Sequence, residues 1–327
     1  MGIKQYFSDL YFTLRVYRRG WKLRTQNYSI FKPRRKITTR TVIAMLDYRN
    51  QKIGLADRLK GAIYTYNCVK ELRAKGVDVE FKIDYFSPFE LSTYLIPASY
   101  DWQISQGDIS YNPTQVEIIK FGTRGDNQRH RDYLLHRIAN SRHNKIHVYC
   151  NRFDDREGAF TDSFNELFKP SPRVQAILDT HTKALGTGYI DVTLRFQNLL
   201  GDFDEGEKRK ALSSEQEQQD LIERCMEQIE NIHSANPQKR VLVTSESRRF
   251  LDVAAQKPYV YTIDGELVHM AFTQGSSFDM HSKAFVDYLM IAGADKIYLL
   301  QTGRMFNSGF PHTAAMIKNK PFEKIIF

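Results

Sequence analysis

An arginine stands at the point where a buried strand is predicted to end. In YIDVTLRFQNLLGDF (189–203), Ile190, Val192 and Leu194 alternate with other residues in the pattern of a strand, and Arg195 follows directly. Ligands of open parallel α/β sheets bind beyond the carboxyl ends of the strands. A guanidinium suits a phosphate there, because its planar donors match two oxygen atoms at once. The spacing therefore predicts an anion-binding role for Arg195.

Polar residues also follow two other predicted strands in the same half of the chain. The motif TSES contains Ser245 and Glu246, and the motif QTGRMFNSGF contains Ser308 just before a predicted helix. Helix N-termini at strand ends add backbone N–H donors and the positive end of the helix dipole. Together with Arg195, these groups predict a site for a diphosphate.

Each of these residues also has a purely structural interpretation. Arg195 could pair with Asp202 or Asp204 in the loop that follows. Ser245 could cap a helix, and NSGF followed by proline is an ordinary helix start. Asp287, within HSKAFVDYLMIAGAD, could be a solvated helix residue. The common placement of several polar groups at strand ends favours the ligand-binding interpretation.

Strand-like and helix-like segments alternate from residue 41 onward in two series. The first runs from TVIAMLD (41–47) to a helix at 171–185, and the second begins with the strand at 190–195. Such alternation predicts parallel sheets with helices on both faces. The predicted fold class is therefore α/β, with two Rossmann-like doubly wound domains facing a cleft. The predicted divisions are a basic N-terminal helical arm at 1–40, a first domain at 41–185 and a second domain at 186–327.

The N-terminal arm carries much of the net charge of +9. Ile3, Phe7, Leu10 and Leu14 have the spacing of one helical face, and a basic run follows up to Arg40. This combination is typical of segments that bind anionic membrane surfaces, and basic runs also bind nucleic acid phosphates. A surface helix with a solvated arm is the third interpretation. Nucleic acid is the least favoured of the three.

Several functional classes are disfavoured by what the sequence lacks. No stretch approaches the roughly 20 apolar residues of a membrane helix, and the N-terminus lacks the pattern of a secretory signal. The three cysteines have no metal-ligand spacing, and DFD (202–204) lies in an acidic loop, so no metal site is predicted. We expect a cytoplasmic protein, peripheral on the inner face of the membrane if the arm binds lipid.

Taken in order, the motifs resemble the GDP-fucose-dependent fucosyltransferase superfamily of GT-B-like fold, which includes nodulation, core and protein-O types. The resemblance covers most of residues 41–327. In NQKIGLADRLKGAI, Gly54, Asp57 and Arg58 match the family's glycine-rich loop near the donor diphosphate, with Ala56 in place of a glycine.

The later motifs of the family also have counterparts. Arg195 matches the arginine of the family's H-x-R motif, with Thr193 in place of the histidine. Ser245 and Glu246 match a Ser-Asp-type pair at a strand end. The most specific element is an aspartate and an Ala-Asp pair before a strand, then a serine and an aromatic residue; it is matched by Asp287, Ala294, Asp295, Ser308 and Phe310.

The resemblance implies an inverting, metal-independent glycosyltransferase that needs no cofactor. Its donor would be GDP-fucose or a related GDP-sugar, and its acceptor an oligosaccharide or lipid-linked glycan in polysaccharide biosynthesis. Arg195 would stabilise the charge of the leaving diphosphate. The candidates for the base that takes the acceptor proton are Asp57, Asp47 and Glu90. The implied donor-binding residues are Gly54, Arg58, Arg195, Ser245, Glu246, Asp287 and Ser308.

Two other functions remain open at the level of sequence. One is a non-catalytic protein of the same fold that binds a nucleotide sugar or glycan at a membrane surface. The other is a basic nucleic-acid-binding protein. Turnover of a sugar donor would separate the enzyme from both.

Overall fold

The computed structural model describes residues 3–35, 39–47, 53–122, 126–186, 188–203, 210–268 and 275–327, with side chains from residue 7 onward. In chain order the helices and strands are α1 (Ile3–Asn27), β1 (Thr41–Met45), α2 (Leu55–Ala74), β2 (Glu80–Asp84), β3 (Leu95–Pro97), β4 (Val116–Lys120), α3 (Asn127–Asn140), β5 (Lys145–Tyr149), α4 (Ala159–Leu167), β6 (Phe168–Pro170), α5 (Pro172–Leu185), β7 (Ile190–Leu194), α6 (Glu215–Ser234), β8 (Val241–Thr244), α7 (Arg248–Ala254), β9 (Val260–Tyr261), α8 (Phe278–Gly293), β10 (Lys296–Gln301), α9 (Phe310–Ile317) and β11 (Phe322–Ile326).

The chain divides into two compact units. Unit 1 comprises Met1–Leu91 and Pro97–Lys169, and unit 2 comprises Ser92–Ile96 and Pro170–Phe327. Unit 2 therefore takes in α5, which lies before the predicted junction at residues 185 and 186. None of the helices in the described ranges combines the length and apolar character needed to cross a bilayer.

Unit 1 is organised around a four-stranded parallel sheet in the order β2-β1-β5-β4. All five residues of β1 are buried, as expected for a central strand covered on both faces. Helix α2 approaches this sheet closely at Gly61, where an added Cβ would overlap the carbonyl oxygen of Cys150. Glycine at this position therefore sets the helix-to-sheet distance in unit 1.

Unit 2 contains a five-stranded parallel sheet in the order β11-β10-β7-β8-β9. The chain builds β7, β8 and β9 outward in one direction and then returns to place β10 on the other side of β7. The strand order thus reverses between β7 and β10. Open α/β sheets bind ligands beyond the carboxyl ends of the strands at such a reversal, which is where Arg195 follows β7.

The predicted α/β class with two parallel sheets is confirmed. Local signals located several helices well: Ser171 caps α5 ahead of Pro172, and Ser214 forms a capping box with Glu217 at the start of α6. Two features were not predicted from the sequence, namely helix α4 and the two-stranded sheet formed by β3 and β6. Both are short, so they carry little periodic signal.

The close approach at Gly61 predicts a large difference between two glycine substitutions. We expect Gly61→Ala to lower the free energy of unfolding by about 1–3 kcal/mol or more, because the methyl group must displace backbone. Gly54→Ala is the matched control, since its φ of −71° suits alanine and no atom lies within 4 Å of the new Cβ. Urea denaturation of both variants tests this, and equal stabilities would contradict the described packing.

Candidate functional site

Strand β7 presents different chemistry on its two faces, because side chains alternate along a strand. Ile190, Val192 and Leu194 belong to a buried apolar cluster with α6. The other face carries Asp191 and Thr193, both buried, and the next position in this alternation is Arg195. The alternation seen in the sequence therefore separates a core face from a line of polar side chains that ends at the arginine.

Arg195 holds a buried guanidinium at the carboxyl end of β7. Its side chain is 18% exposed, and its Nη1 atom lies 3.7 Å from Oε2 of Glu246. Its guanidinium carbon lies 5.6 Å from the centre of the Phe203 ring, a distance at which a cation and a ring attract each other. Burial lowers the pKa of Arg195, while the charge of Glu246 raises it.

Glu246 reaches Arg195 because of the register between β7 and β8. Thr193 pairs with Thr244 in this register, so the residues two positions further on leave neighbouring strands together. The Oε1 atom of Glu246 accepts a hydrogen bond from the backbone N–H of Gln197. Burial raises the pKa of Glu246, and the positive charge of Arg195 lowers it. The pair is thus a desolvated cation and a carboxylate fixed by backbone geometry.

The carboxylates predicted as structural partners of Arg195 have different outcomes. Asp202 accepts hydrogen bonds from Ser247 Oγ at 2.8 Å and from the Arg249 backbone N–H at 2.9 Å, which places it at the start of α7. Asp204 lies outside the described residues. Arg195 forms an ion pair with Glu246, a residue predicted from the resemblance to bind the sugar donor.

The segment after β10 returns to the end of β7. The backbone N–H of Phe306 donates a hydrogen bond of 2.9 Å to the carbonyl oxygen of Arg195. Ser308 then accepts a bond of 3.2 Å from the N–H of Phe310 through its Oγ, immediately before α9, whose N-cap is Gly309. The start of α9 and the end of β7 are therefore linked through one short segment, on the two strands that flank the reversal.

Ser245 and Asp287 are also buried in unit 2. Ser245 Oγ accepts a hydrogen bond of 3.2 Å from the backbone N–H of Ser247. Asp287 forms an ion pair with Lys283 one turn earlier in α8, with a distance of 2.8 Å from Lys283 Nζ to Oδ2. Burial raises the pKa of Asp287 and the lysine charge lowers it. The interpretation of Asp287 as a solvated residue is therefore wrong.

Three predicted site residues lie in unit 1, at the start of α2. Gly54 is the N-cap residue, and Asp57 in the first turn is 41% exposed and paired with Lys60. Arg58 is fully buried: its Nε donates to the carbonyl oxygen of Ile53 at 3.0 Å, and its Nη1 donates to that of Leu46. These contacts make Arg58 a brace for the chain between β1 and α2.

The polar cluster beneath Arg195 was not predicted from the sequence. The Thr193 hydroxyl lies 2.9 Å from Oδ2 of Asp191 and 2.7 Å from the hydroxyl of Thr244 on the next strand. Burial raises the pKa of Asp191 well above its usual value, against the smaller opposing effect of its hydrogen bond from Thr193. The sequence does carry one signal of this cluster, because Asp191 is an acidic residue within a strand whose only other polar residue is Thr193.

No group of three or more histidine, cysteine, aspartate or glutamate residues is placed to hold a metal ion within the described ranges. At the end of β7, the β7–β8 register places the guanidinium of Arg195 beside Glu246.

Neither a protein-family model nor a curated protein matches the chain. Among solved structures, it is similar to the α-1,6-fucosyltransferase NodZ soaked with GDP-fucose, with a TM-score of 0.54, 16% identity and coverage of 86% of this chain and 93% of that chain. For NodZ from Bradyrhizobium the TM-score is 0.56 at 16% identity, covering 85% and 92%.

A plant enzyme structure is similar as well. A mutant of Arabidopsis thaliana FUT1 in complex with GDP gives a TM-score of 0.51 at 11% identity, covering 95% of this chain and 74% of that chain. At these identities the similarity shows a common fold. The expected fucosyltransferase-like fold is thereby confirmed.

The raised pKa of Asp191 predicts a pH-dependent effect on stability. The folded protein keeps a proton that the unfolded chain releases above about pH 4. The contribution of Asp191 to the free energy of unfolding is therefore expected to fall as pH rises above that value, by up to about 1.4 kcal/mol per pH unit. Asp191→Asn has no proton to release, so its stability relative to wild type should increase between pH 5 and pH 7.

The matched control is Asp295→Asn, because the hydrogen bond from Lys239 lowers the pKa of Asp295. Both its folded and unfolded states are ionised from pH 5 to pH 7, so the effect of this substitution should not change with pH. Denaturation midpoints measured at several pH values give both comparisons. A pH-independent effect of Asp191→Asn would show that Asp191 is ionised in the folded protein.

Proposed function

We propose that this protein is a glycosyltransferase that moves a sugar, first of all fucose, from a GDP-sugar to a glycan acceptor. The observation that carries this proposal is the buried guanidinium of Arg195 at the carboxyl end of β7, beside the reversal of strand order in unit 2. The proposal is supported by the fold that the chain shares with NodZ soaked with GDP-fucose and with FUT1 bound to GDP.

The chemistry explains why a fixed cation would matter. In an inverting transfer, an acceptor hydroxyl attacks the anomeric carbon from the face opposite the leaving group. The bond from that carbon to the β-phosphate oxygen breaks, and its electron pair stays on GDP. Negative charge therefore grows on the diphosphate, so a guanidinium beside it stabilises the transition state more than the bound donor.

The environment of Arg195 suits this role. A partly desolvated cation interacts more strongly with a phosphate than one in bulk water does. Its distance of 3.7 Å to Glu246 is longer than the about 2.7–2.9 Å of a charge-assisted hydrogen bond. The carboxylate therefore restrains the position of the guanidinium, and it compensates the positive charge before the sugar donor binds. Ser308, at the start of α9, would add a hydroxyl and the helix dipole.

The remaining predicted residues receive more specific roles within the proposal. Asp57 is 41% exposed and paired with Lys60, and it is the proposed base that takes the acceptor proton. Arg58 is buried and bonded to backbone carbonyl oxygens, and Asp287 is buried and paired with Lys283. We therefore propose that they support the donor site indirectly, Arg58 by positioning the start of α2 and Asp287 by positioning α8. Gly54, Ser245 and Glu246 keep their proposed donor-binding roles. We also propose a cytoplasmic location.

A panel of nucleotide sugars tests donor choice. We expect GDP and GDP-fucose to raise the melting temperature more than UDP-, CMP- or ADP-sugars, because a ligand bound by the native state stabilises it by mass action. The gain is about 2.7 kcal/mol at a concentration 100 times the dissociation constant. An absence of any shift with all GDP compounds would contradict the proposed donor. A shift without GDP release in the presence of glycan acceptors would instead indicate a non-catalytic binding protein.

Substitution of Arg195 tests the assigned mechanism. We expect Arg195→Ala to lower kcat/KM for sugar transfer by about 10²–10³, with most of the loss in kcat. Arg195→Lys should recover only part of it, because an ammonium ion cannot donate two parallel hydrogen bonds. Arg173→Ala is the control, since Arg173 is 63% exposed elsewhere in unit 2. A folded Arg195→Ala variant with normal turnover would refute the role of Arg195.

A further inference from the structure

Helix α1 is attached to unit 1 along one narrow face. Val16 and Leu23 are buried on this face, and Gly20 lies so close to β4 that an added Cβ would be 2.9 Å from the carbonyl oxygen of Ile118. Phe12 packs edge-on against His130 and Tyr133 of α3. These contacts fix the rotation of α1 about its own axis. They therefore also determine which of its residues face away from unit 1.

The opposite side of α1 is apolar and exposed. At 100° per residue its large apolar side chains fall within an arc of about 120°. Each is between 43% and 68% exposed. Tyr17 and Trp21 stack on each other, with ring centres 6.2 Å apart. Contiguous apolar surface of this kind marks an interaction site rather than ordinary solvent-facing surface. We call this surface the aromatic face; it consists of Phe7, Leu10, Tyr11, Leu14, Tyr17 and Trp21.

The aromatic face is bordered by positive charge. Arg15, Arg18 and Lys22 are exposed and follow one edge of the arc. Asp9, the acidic residue in the sequence of α1, is paired with Arg129 of α3 at 2.5 Å. Just beyond the helix, Phe31 is 91% exposed, and the basic residues Lys32, Arg34 and Arg35 follow it. The surface thus combines aromatic side chains with a positively charged border.

We propose that the aromatic face of α1 docks onto a bilayer surface that contains anionic phospholipid. Tyrosine and tryptophan favour the boundary between hydrocarbon and headgroups, and the basic border matches the negative headgroups. A second copy docked through the same face would bring the same positive border. A nucleic acid could stack bases on the aromatic rings, but it would leave Leu10 and Leu14 without a role. The inference is independent of the proposed sugar transfer.

Tryptophan fluorescence with the full-length protein tests this proposal. The chain has two tryptophans, of which Trp102 is buried at 3% exposure and Trp21 lies in the aromatic face. We expect co-sedimentation with vesicles containing phosphatidylserine, weaker binding to pure phosphatidylcholine, and a blue shift of the Trp21 emission on binding. Arg15→Gln, Arg18→Gln and Lys22→Gln should each lower partitioning about five-fold, as expected for one basic residue near an anionic surface.

Apolar substitutions separate this proposal from simple charge attraction. The combined change Leu10→Gln, Leu14→Gln and Tyr17→Gln keeps Trp21 as reporter and should lower partitioning by at least about ten-fold. Ile326→Gln is the matched control, because Ile326 is 73% exposed in β11 of unit 2. The proposal is overturned by an absence of vesicle binding, by binding that leaves Trp21 emission unchanged, or by a blue shift caused by self-association without vesicles.

Discussion

The candidate site depends on one constraint, which is the burial of a permanent charge at the end of a central strand. Removing a guanidinium from water costs several kcal/mol unless an opposite charge or hydrogen bonds compensate it. Glu246 supplies that charge, and the Gln197 backbone N–H and the β7–β8 register fix where Glu246 lies. The carboxylate therefore restrains the position of the arginine, and the low dielectric strengthens the interaction between the two charges.

The polar cluster beneath Arg195 explains how the sheet accommodates a threonine at position 193, where the motif that this segment resembles has a histidine. The Thr193 hydroxyl bonds with Thr244 and Asp191 inside the sheet, so it satisfies buried polar atoms and links two strands. An imidazole is bulkier than this hydroxyl and would have to displace one of these partners. The substitution is therefore consistent with the local packing.

The sequence was sufficient where local physics decides the outcome. Alternating apolar residues located β7, and the serines at 171 and 214 located two helix starts, because these signals act within a few residues. The structural alternative for Arg195 named nearby aspartates as its partners, whereas the structure places Glu246 beside it, about 50 residues further on. The burial of Arg58 was equally hidden, since its carbonyl partners become visible only when β1 and α2 are assembled.

Helix α1 shows why an apolar stripe alone does not tell which side of a helix is buried. Phe7, Leu10 and Leu14 form the broader stripe, and amphipathic helices ordinarily bury such a stripe. Here the narrow line through Val16, Gly20 and Leu23 packs instead, because glycine lets the helix backbone approach the carbonyl oxygen of Ile118. Close backbone approach gains dispersion contacts that bulky aromatic side chains would prevent. The broad stripe is consequently left at the surface, where its composition has to be explained by something other than the core of unit 1.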